Sequence, residues 1–173
     1  MRVAGWEDVV TKYQHSQKNK LFKTRFHDPF ASQRFTGSAI CPGCEAFYYS
    51  GNWKWRRPEA LTQAPRQVTC PACRRIAEHM PAGVVTLSGK FWAVHRDAIS
   101  NLVYHAEKLE KSEHALERLM SVEEKNGELV VSTTGLHLAG RIAHALRDAF
   151  KGEAHYHYND DTFFLSITWR RDD

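Results

Sequence analysis

The sequence predicts an α+β protein made of three consecutive parts: a basic, largely extended arm over residues 1–40, a four-cysteine ribbon over residues 41–80, and an α/β sandwich over residues 81–173. Three observations predict this division. The cysteines form one cluster in the middle part, the positive charge lies before residue 81, and strand and helix periods alternate only after it. With 173 residues, of which 42% are hydrophobic, the chain is long enough for one ordinary domain or two small ones.

The net charge of +4 is the sum of two unlike halves. Residues 1–80 hold 13 Lys and Arg against 6 Asp and Glu, a net of +7, whereas residues 81–173 hold 11 against 14, a net of −3. A basic half that also carries every cysteine indicates a polyanionic partner. Because no apolar run approaches the ~18 residues of a membrane helix and the N-terminus has no apolar signal segment, we expect a cytoplasmic protein without a membrane partner.

The first 40 residues show no sustained helical or strand period, although Trp6 to Tyr13 has the spacing of a short helix. Aromatic residues are scattered among the basic ones. Two interpretations stay open: an unstructured tail, or an arm that becomes ordered when it binds RNA, with cations on phosphates and rings stacked on bases. The predicted RNA contacts of the arm are Lys18, Lys20, Lys23, Arg25 and Arg34.

The ribbon is defined by two CxxC pairs, Cys41-Pro42-Gly43-Cys44 and Cys70-Pro71-Ala72-Cys73, with 25 residues between them. Each CxxC turn can present two thiolates to one metal, and two turns complete a tetrahedron. Sulfur would fill all four positions and leave none for a reacting water, so the pattern predicts one structural zinc bound by Cys41, Cys44, Cys70 and Cys73. Iron in a rubredoxin-like site is a second interpretation. Two redox-active dithiols are a third, which Pro42 and Gly43 disfavour because a redox CxxC opens a helix.

Between the two pairs, Phe47 to Tyr49 and Trp53 to Trp55 flank Ser50-Gly51-Asn52, a hairpin signal. In a strand, the two tryptophans share one face and Lys54 lies on the other. Their rings either pack the small ribbon or are exposed for base stacking or protein contact. The predicted RNA contacts of the ribbon are Trp53, Lys54, Trp55, Arg56, Arg57, Arg74 and Arg75.

The third part is predicted to contain seven elements: a strand at Gly83–Leu87, a helix at His95–Lys111, strands at Leu116–Glu123 and Glu128–Thr133, a helix at Leu136–Lys151, and strands at Ala154–Tyr158 and Thr162–Arg170. Asn126-Gly127 predicts a hairpin between the second and third strands. Thr134 is the expected N-cap of the second helix, and Gly152 is its expected stop. The order βαββαββ resembles a ferredoxin-like sandwich with one added strand and its helices on one face of a mainly antiparallel sheet.

Apolar stripes predict which helix faces are buried. The first helix presents Ile99, Leu102, Val103, Ala106 and Leu109, and the second presents Ala139, Ile142, Ala143, Leu146 and Phe150.

Candidate catalytic groups are sparse. His155 and His157 point to one side of a strand and could form half a metal site, but no further ligands accompany them, which favours a half-exposed sheet face. His137, Arg141 and His144 share a polar helix face, on which Arg141 is a further candidate RNA contact. No P-loop, GxSxG or HExxH motif is present. We therefore expect no catalytic residues, no enzyme activity and no small-molecule substrate.

Several short stretches occur in a fixed order along the chain: His27-Asp28-Pro29-Phe30, the two CxxC pairs, Trp53-Lys54-Trp55, Arg74-Arg75-Ile76, Pro81-Ala82-Gly83, Leu87-Ser88-Gly89, His95-Arg96, Thr133-Thr134, Leu138-Ala139, Arg141-Ile142, Gly152 and Trp169-Arg170. In these stretches the chain resembles a known family, the small bacterial zinc-ribbon proteins that look like shortened relatives of the ribosomal export adaptor named for nonsense-mediated mRNA decay. The chain is much shorter than the export adaptors and lacks their additional cysteine pairs and transport signals.

The resemblance implies a zinc-bearing factor that binds the ribosome, as the large subunit or the 70S particle, through ribosomal RNA and ribosomal proteins. Export from a nucleus does not apply to a bacterium. The processes that the resemblance then implies are ribosome hibernation under stress, subunit maturation and quality control. The alternative is a zinc-ribbon transcription regulator or another nucleic-acid-binding regulator, which would bind a DNA or mRNA site in the absence of ribosomes.

Overall fold

The computed structural model describes residues 28, 30, 35–61, 63–159 and 161–173. Most of the predicted arm therefore lies outside the described residues, as do the predicted helix between Trp6 and Tyr13 and the predicted arm contacts Lys18, Lys20, Lys23, Arg25 and Arg34. The described chain forms a mixed α+β structure with two separate sheets.

The ribbon is a small four-stranded sheet. Its strands are β1 (Ala39–Ile40), β2 (Phe47–Tyr49), β3 (Asn52–Lys54) and β4 (Arg66–Gln67), in the order β3-β2-β1-β4. The predicted hairpin is confirmed, since β2 and β3 pair antiparallel around Ser50 and Gly51, both of which have positive φ. Two such residues in succession are typical of the type I′ turn, whose twist matches that of the flanking strands.

Helix α1 (Pro71–Glu78) follows the ribbon strands and was not predicted. Cys70 is its N-cap, and the Cys70 sulfur accepts the backbone N–H of Cys73. Pro71 at the first helical position lacks the N–H group that would have no partner there. The second CxxC pair is therefore a helix start, whereas the first pair is the turn that the sequence predicts.

The sandwich contains the predicted alternation of strands and helices. Its elements are β5 (Gly83–Ser88), α2 (Lys90–Val94), α3 (Arg96–Glu113), β6 (Leu119–Lys125), β7 (Glu128–Thr133), α4 (Leu136–Phe150), β8 (Glu153–Asn159) and β9 (Phe164–Arg170). The short helix α2, directly before α3, was not predicted. Asn126 and Gly127 both have positive φ and join β6 to β7 as the predicted hairpin.

The large sheet has the strand order β6-β7-β5-β9-β8, and its neighbours are antiparallel except for the parallel pair β5–β9. In a ferredoxin-like sheet, the strand after the second helix lies beside the first strand. Here β9 takes that position and β8 forms the outer edge. A strict ferredoxin-like order is therefore not confirmed, because the added strand lies inside the sheet.

One face of the large sheet carries the main core. Alternate residues of β5, β7 and β9 are buried there, including Leu87, Val131 and Trp169. Helices α3 and α4 supply the facing side chains, each large one stabilising the fold by roughly 1.5–3 kcal/mol. Both predicted helix stripes contribute to this core, except that Leu109 is 44% exposed.

The start of α4 differs from the prediction. Its N-cap is Gly135 rather than Thr134, and no side chain of the cap residue contributes a hydrogen bond. Thr134 instead donates its hydroxyl to Leu116 O, at 2.6 Å. The carboxylate of Glu117 accepts the backbone N–H of Leu138 at 2.9 Å and so satisfies one of the free donors of the first turn.

The predicted stop of α4 is confirmed. The helix ends at Phe150, and Gly152 has a φ of 82°, which favours glycine. None of the helices in the described part of the chain has the length and apolar character needed to cross a membrane.

Candidate metal centre

The four cysteines meet in one cluster, with all four sulfur atoms within 4.8 Å of one another. Cys41 directly follows β1, and Cys44 lies at the end of the same turn, so the first pair is positioned by the ribbon sheet. Cys70 and Cys73 belong to the start of α1. This arrangement could hold one metal ion, as the spacing of the two CxxC pairs predicts.

Backbone groups surround the sulfur atoms. The N–H of Cys70 donates to Cys41 Sγ at 3.3 Å, and the N–H of Cys73 donates to Cys70 Sγ at 3.4 Å. A side chain at Gly43 would place its Cβ 3.3 Å from Cys73 Sγ, tighter than an ordinary contact. The turn can therefore approach the sulfurs closely because Gly43 has no side chain. The N–H donors favour the negatively charged, thiolate form of the cysteines.

The pKa values of the thiols differ across the cluster. Burial alone would raise the pKa of Cys41, but backbone N–H donors outweigh it and lower the pKa to about 7. Burial raises the pKa of Cys70 and of Cys73, and neighbouring thiols add to the effect at Cys70. A bound cation is what allows such buried sulfurs to carry charge together, because it compensates their mutual repulsion.

The structure bears on the redox interpretation in two ways. The second CxxC pair does open a helix, which is the arrangement of a redox motif. However, the sulfurs of the two pairs form one shared set rather than two separate dithiols, and Cys44 Sγ lies 3.7 Å from Cys70 Sγ. All four cysteines are free of disulfides. One set of four sulfurs is the donor arrangement of tetrahedral zinc and iron sites.

Arg118, a residue that sequence reasoning missed, lies against the cluster. It precedes β6, is 7% exposed, and its Nη2 donates to Cys70 Sγ at 3.1 Å while Nη1 lies 3.6 Å from Cys73 Sγ. Its sequence separation from Cys73 is 45 residues. No local pattern links residues so far apart, and the neighbouring Glu117 makes the stretch look like an ordinary charged surface.

The ribbon and the sandwich share a small apolar cluster. Ala115, between α3 and β6, packs with Cys41, Cys70, Ala46 and Ala72, and both tryptophans of β3 and its continuation pack against this group. Trp55 also donates its Nε1–H to Lys111 O at 2.5 Å. Both rings are half-buried, which agrees with the packing interpretation of Trp53 and Trp55.

The basic side chains of the hairpin are accessible. Lys54, Arg56 and Arg57 are all exposed, and the Arg57 guanidinium lies 6.0 Å from the ring centre of Phe47. Tyr49 is 47% exposed at the end of β2. The hairpin and the residues that follow it thus present three exposed cations and one exposed aromatic ring, a set that we call the basic edge of the hairpin.

The other predicted contacts have different surroundings. Arg74 is half-buried, pairs with Glu78 at 3.6 Å and lies over the ring of Phe30. Arg75 is 3% exposed, and its guanidinium bonds Asp28 Oδ1 at 2.6 Å and Met80 O at 3.0 Å. Arg75 is therefore buried and paired with Asp28, not exposed at the surface where the sequence predicts an RNA contact.

Arg141 lies on α4, where its Nε meets Oε2 of the buried Glu110 at 2.5 Å. Its side chain remains partly accessible, so the ion pair orients it without covering it.

The histidines do not assemble a second site. His155 and His157 are exposed on the same side of β8, as predicted. On α4, His144 pairs with Asp148 at 3.0 Å, while His137 stacks on His114 with ring centres 6.4 Å apart. Within the described ranges, the four cysteines are the single set of three or more His, Cys, Asp or Glu side chains placed to hold a metal.

No protein family, curated protein or solved structure matches the chain. The family resemblance therefore stays a prediction from the ordered motifs. What the structure provides for a functional argument is the cysteine cluster, the arginine beside it and the basic edge of the hairpin.

Proposed function

We propose that this protein is a non-enzymatic, zinc-containing factor that binds the ribosome by contacting ribosomal RNA. The observation that carries the proposal is that Trp55 packs against the four-cysteine cluster while its chain neighbours Lys54 and Arg56 are exposed. A site filled by four sulfurs leaves no position for substrate or reacting water, so its metal would shape a binding surface.

The proposed metal is one structural zinc. Four sulfurs that each lie ~2.3 Å from a central zinc are separated from one another by about 3.8 Å. The 3.7 Å between Cys44 Sγ and Cys70 Sγ fits this geometry, and the close turn at Gly43 leaves the sulfurs room to converge. Zinc binding would stabilise a ribbon whose strands are only two or three residues long and whose apolar cluster is small.

The proposed RNA surface is the basic edge of the ribbon, formed by Lys54, Arg56 and Arg57 with Tyr49. Cations at this edge would neutralise phosphates and release counterions, while an exposed ring can stack on an unpaired base. Arg74 and Arg141 are partly accessible and could extend the contact. The predicted arm contacts between Lys18 and Arg34 would add a second basic segment, which belongs to the same basic half of the chain.

The proposed partner is the large subunit or the 70S ribosome of the cytoplasm, and the proposed process is hibernation, maturation or quality control. The family resemblance supports this choice. Ile76 and Met80 are exposed near the end of α1 and would suit contact with a ribosomal protein. We also infer that the sandwich is a ferredoxin-like domain with β9 inserted, since β6-β7-β5 keeps the antiparallel order of that fold.

The direct test is sedimentation of tagged protein from stationary-phase lysate through a sucrose gradient. We expect the protein to co-migrate with 50S or 70S particles at low salt and to leave them at high salt, since phosphate contacts weaken as salt rises. Protein that remains at the top of the gradient at low salt would contradict ribosome binding. Binding to DNA or mRNA in that case would favour the nucleic-acid regulator instead.

A further inference from the structure

The backbone of Arg118 is hydrogen-bonded to the sandwich while its guanidinium faces the cysteines. Its backbone N–H donates to Thr134 Oγ1 at 2.8 Å, and its carbonyl accepts the N–H of Thr134 at 2.9 Å. Two guanidinium nitrogens then approach Cys70 and Cys73. The side chain is therefore aimed at the second cysteine pair by the backbone of the segment that leads into β6.

Charge explains why an arginine belongs at this position. A divalent cation with four thiolates carries a net double negative charge, and Cys70 is fully buried, so water cannot solvate that charge. An arginine is always protonated and is itself costly to bury without an anionic partner. Arg118 and the loaded site therefore compensate one another, as outer partners commonly do around metal ligands.

We propose that Arg118 is an outer component of the metal centre, and that metal binding at the four cysteines holds the ribbon on the sandwich through this arginine. The inference rests on the proposed metal site. Without the metal, only weak N–H···S contacts hold the sulfurs in the positions that the two guanidinium nitrogens match. The buried arginine then lacks its compensating group, and the interface between the two parts is weakened.

Contacts near Arg118 show which residues of the sandwich would lose their packing against the ribbon. The ring of Trp55 lies 5.8 Å from the Arg118 guanidinium, and its Nε1–H reaches Lys111 O at the end of α3. Ala115 packs into the apolar cluster of the ribbon. Removal of the metal should consequently loosen residues 111–118 of the sandwich, in addition to the ribbon itself.

The first test measures the rate at which the zinc-loaded full chain transfers zinc to a chromophoric chelator in excess. We expect Arg118→Gln to release zinc about 10–100-fold faster than the wild type, the usual effect of removing an outer partner. Arg118→Lys, which keeps the charge but not the two-nitrogen geometry, should be intermediate. The matched control is Arg170→Gln, because Arg170 is exposed and pairs with the exposed Asp172; it should release zinc at the wild-type rate.

The second test is hydrogen exchange of the wild type before and after zinc removal. We expect exchange to increase over residues 111–118 as well as over the ribbon, while β5 and β9 stay protected. Equal release rates in Arg118→Gln and Arg170→Gln, or an exchange increase confined to residues 39–78, would overturn the inference. If Arg118→Gln does not fold, Arg118→Lys decides. If the wild type binds no zinc, the metal site itself is overturned. That outcome differs from one in which zinc is bound and Arg118→Gln releases it at the wild-type rate, which overturns only the role of Arg118.

Discussion

The buried carboxyl group of Glu117 accepts a backbone N–H at the start of helix α4. Burial raises its pKa to about 7, the nearby Glu110 adds to the rise, and the N–H donor of Leu138 and the neighbouring His114 oppose it. Gly135 leaves the space for this carboxylate, since a Cβ there would lie 2.2 Å from its oxygens. Sequence reasoning places a cap one residue away at Thr134, whereas the group that acts belongs to a different segment.

Replacing Glu117 by Gln should change how stability depends on pH. The folded pKa lies above the ordinary 4.5, so the carboxyl group contributes stability that is fully present below pH 4.5 and is lost as pH rises through about 7. The wild type should therefore lose on the order of 1–3 kcal/mol relative to Glu117→Gln between pH 4.5 and 8. Urea unfolding at several pH values measures the difference.

The matched control for that measurement is Glu123→Gln, because Glu123 is exposed on β6. A difference between wild type and Glu117→Gln that stays constant from pH 4.5 to 8 would show that burial does not raise this pKa.

Gly135→Ala should destabilise the fold by displacing the Glu117 carboxylate from the start of α4. Loss of a cap and a steric clash together cost roughly 1–3 kcal/mol. Gly140→Ala is the matched control, since nothing lies within 4 Å of its added Cβ and alanine favours a helix interior. Thermal unfolding should rank the control at or above the wild type and Gly135→Ala below it; the reverse order would contradict the cap.

At the scale of elements, sequence patterns predict what is local. Strand β7 and helix α4 were predicted within one residue because period, turn glycines and apolar stripe agree. Helix α1 was missed because eight residues with a CxxC start resemble a turn as much as a helix. The position of β9 between β5 and β8 and the approach of Arg118 to Cys70 depend on interactions between distant segments, which no local pattern encodes.

Cysteine substitution tests whether the ribbon depends on its metal. The ribbon strands are too short to hold together alone, and metal binding in small zinc domains supplies ~10–16 kcal/mol. Native mass spectrometry should find one zinc per chain in the wild type and none in Cys41→Ser. The exposed loop variant Gln63→Ala serves as the control and should keep its zinc. One zinc per chain in Cys41→Ser would refute the four-cysteine site.

At the scale of the whole molecule, the change in net charge falls between the two sheets of the described residues. The +7 half contains the arm and the ribbon, and the −3 half contains the sandwich. The sandwich meets the ribbon through a buried arginine and a small apolar cluster rather than through its acidic surface. A net charge of +4 alone would permit a polyanionic partner anywhere on the surface, whereas this division makes the basic edge of the hairpin and the arm the main expected contacts.

The salt dependence of RNA binding distinguishes the contribution of the hairpin cations from that of the arm cations. Replacing Lys54, Arg56 and Arg57 by Gln should weaken binding to ribosomal RNA and flatten its log–log salt dependence by about 0.7–0.9 for each phosphate that the variant no longer neutralises. Replacing Lys18, Lys20, Lys23 and Arg25 should do the same if the arm binds. Filter binding over a range of salt concentrations provides both slopes.

The control for this comparison is a triple variant of exposed sandwich cations, Lys125, Lys151 and Arg170, which removes as much charge as the hairpin variant does. Phosphate binding is local, because at physiological salt the field of an exposed charge is screened within about 8 Å. The sandwich variant should therefore keep the wild-type slope. If it flattens the slope as much as the hairpin variant, net charge alone governs binding and the ribbon edge is not the RNA surface. An unchanged slope in the arm variant would exclude the arm from the interface while leaving the ribbon edge in place.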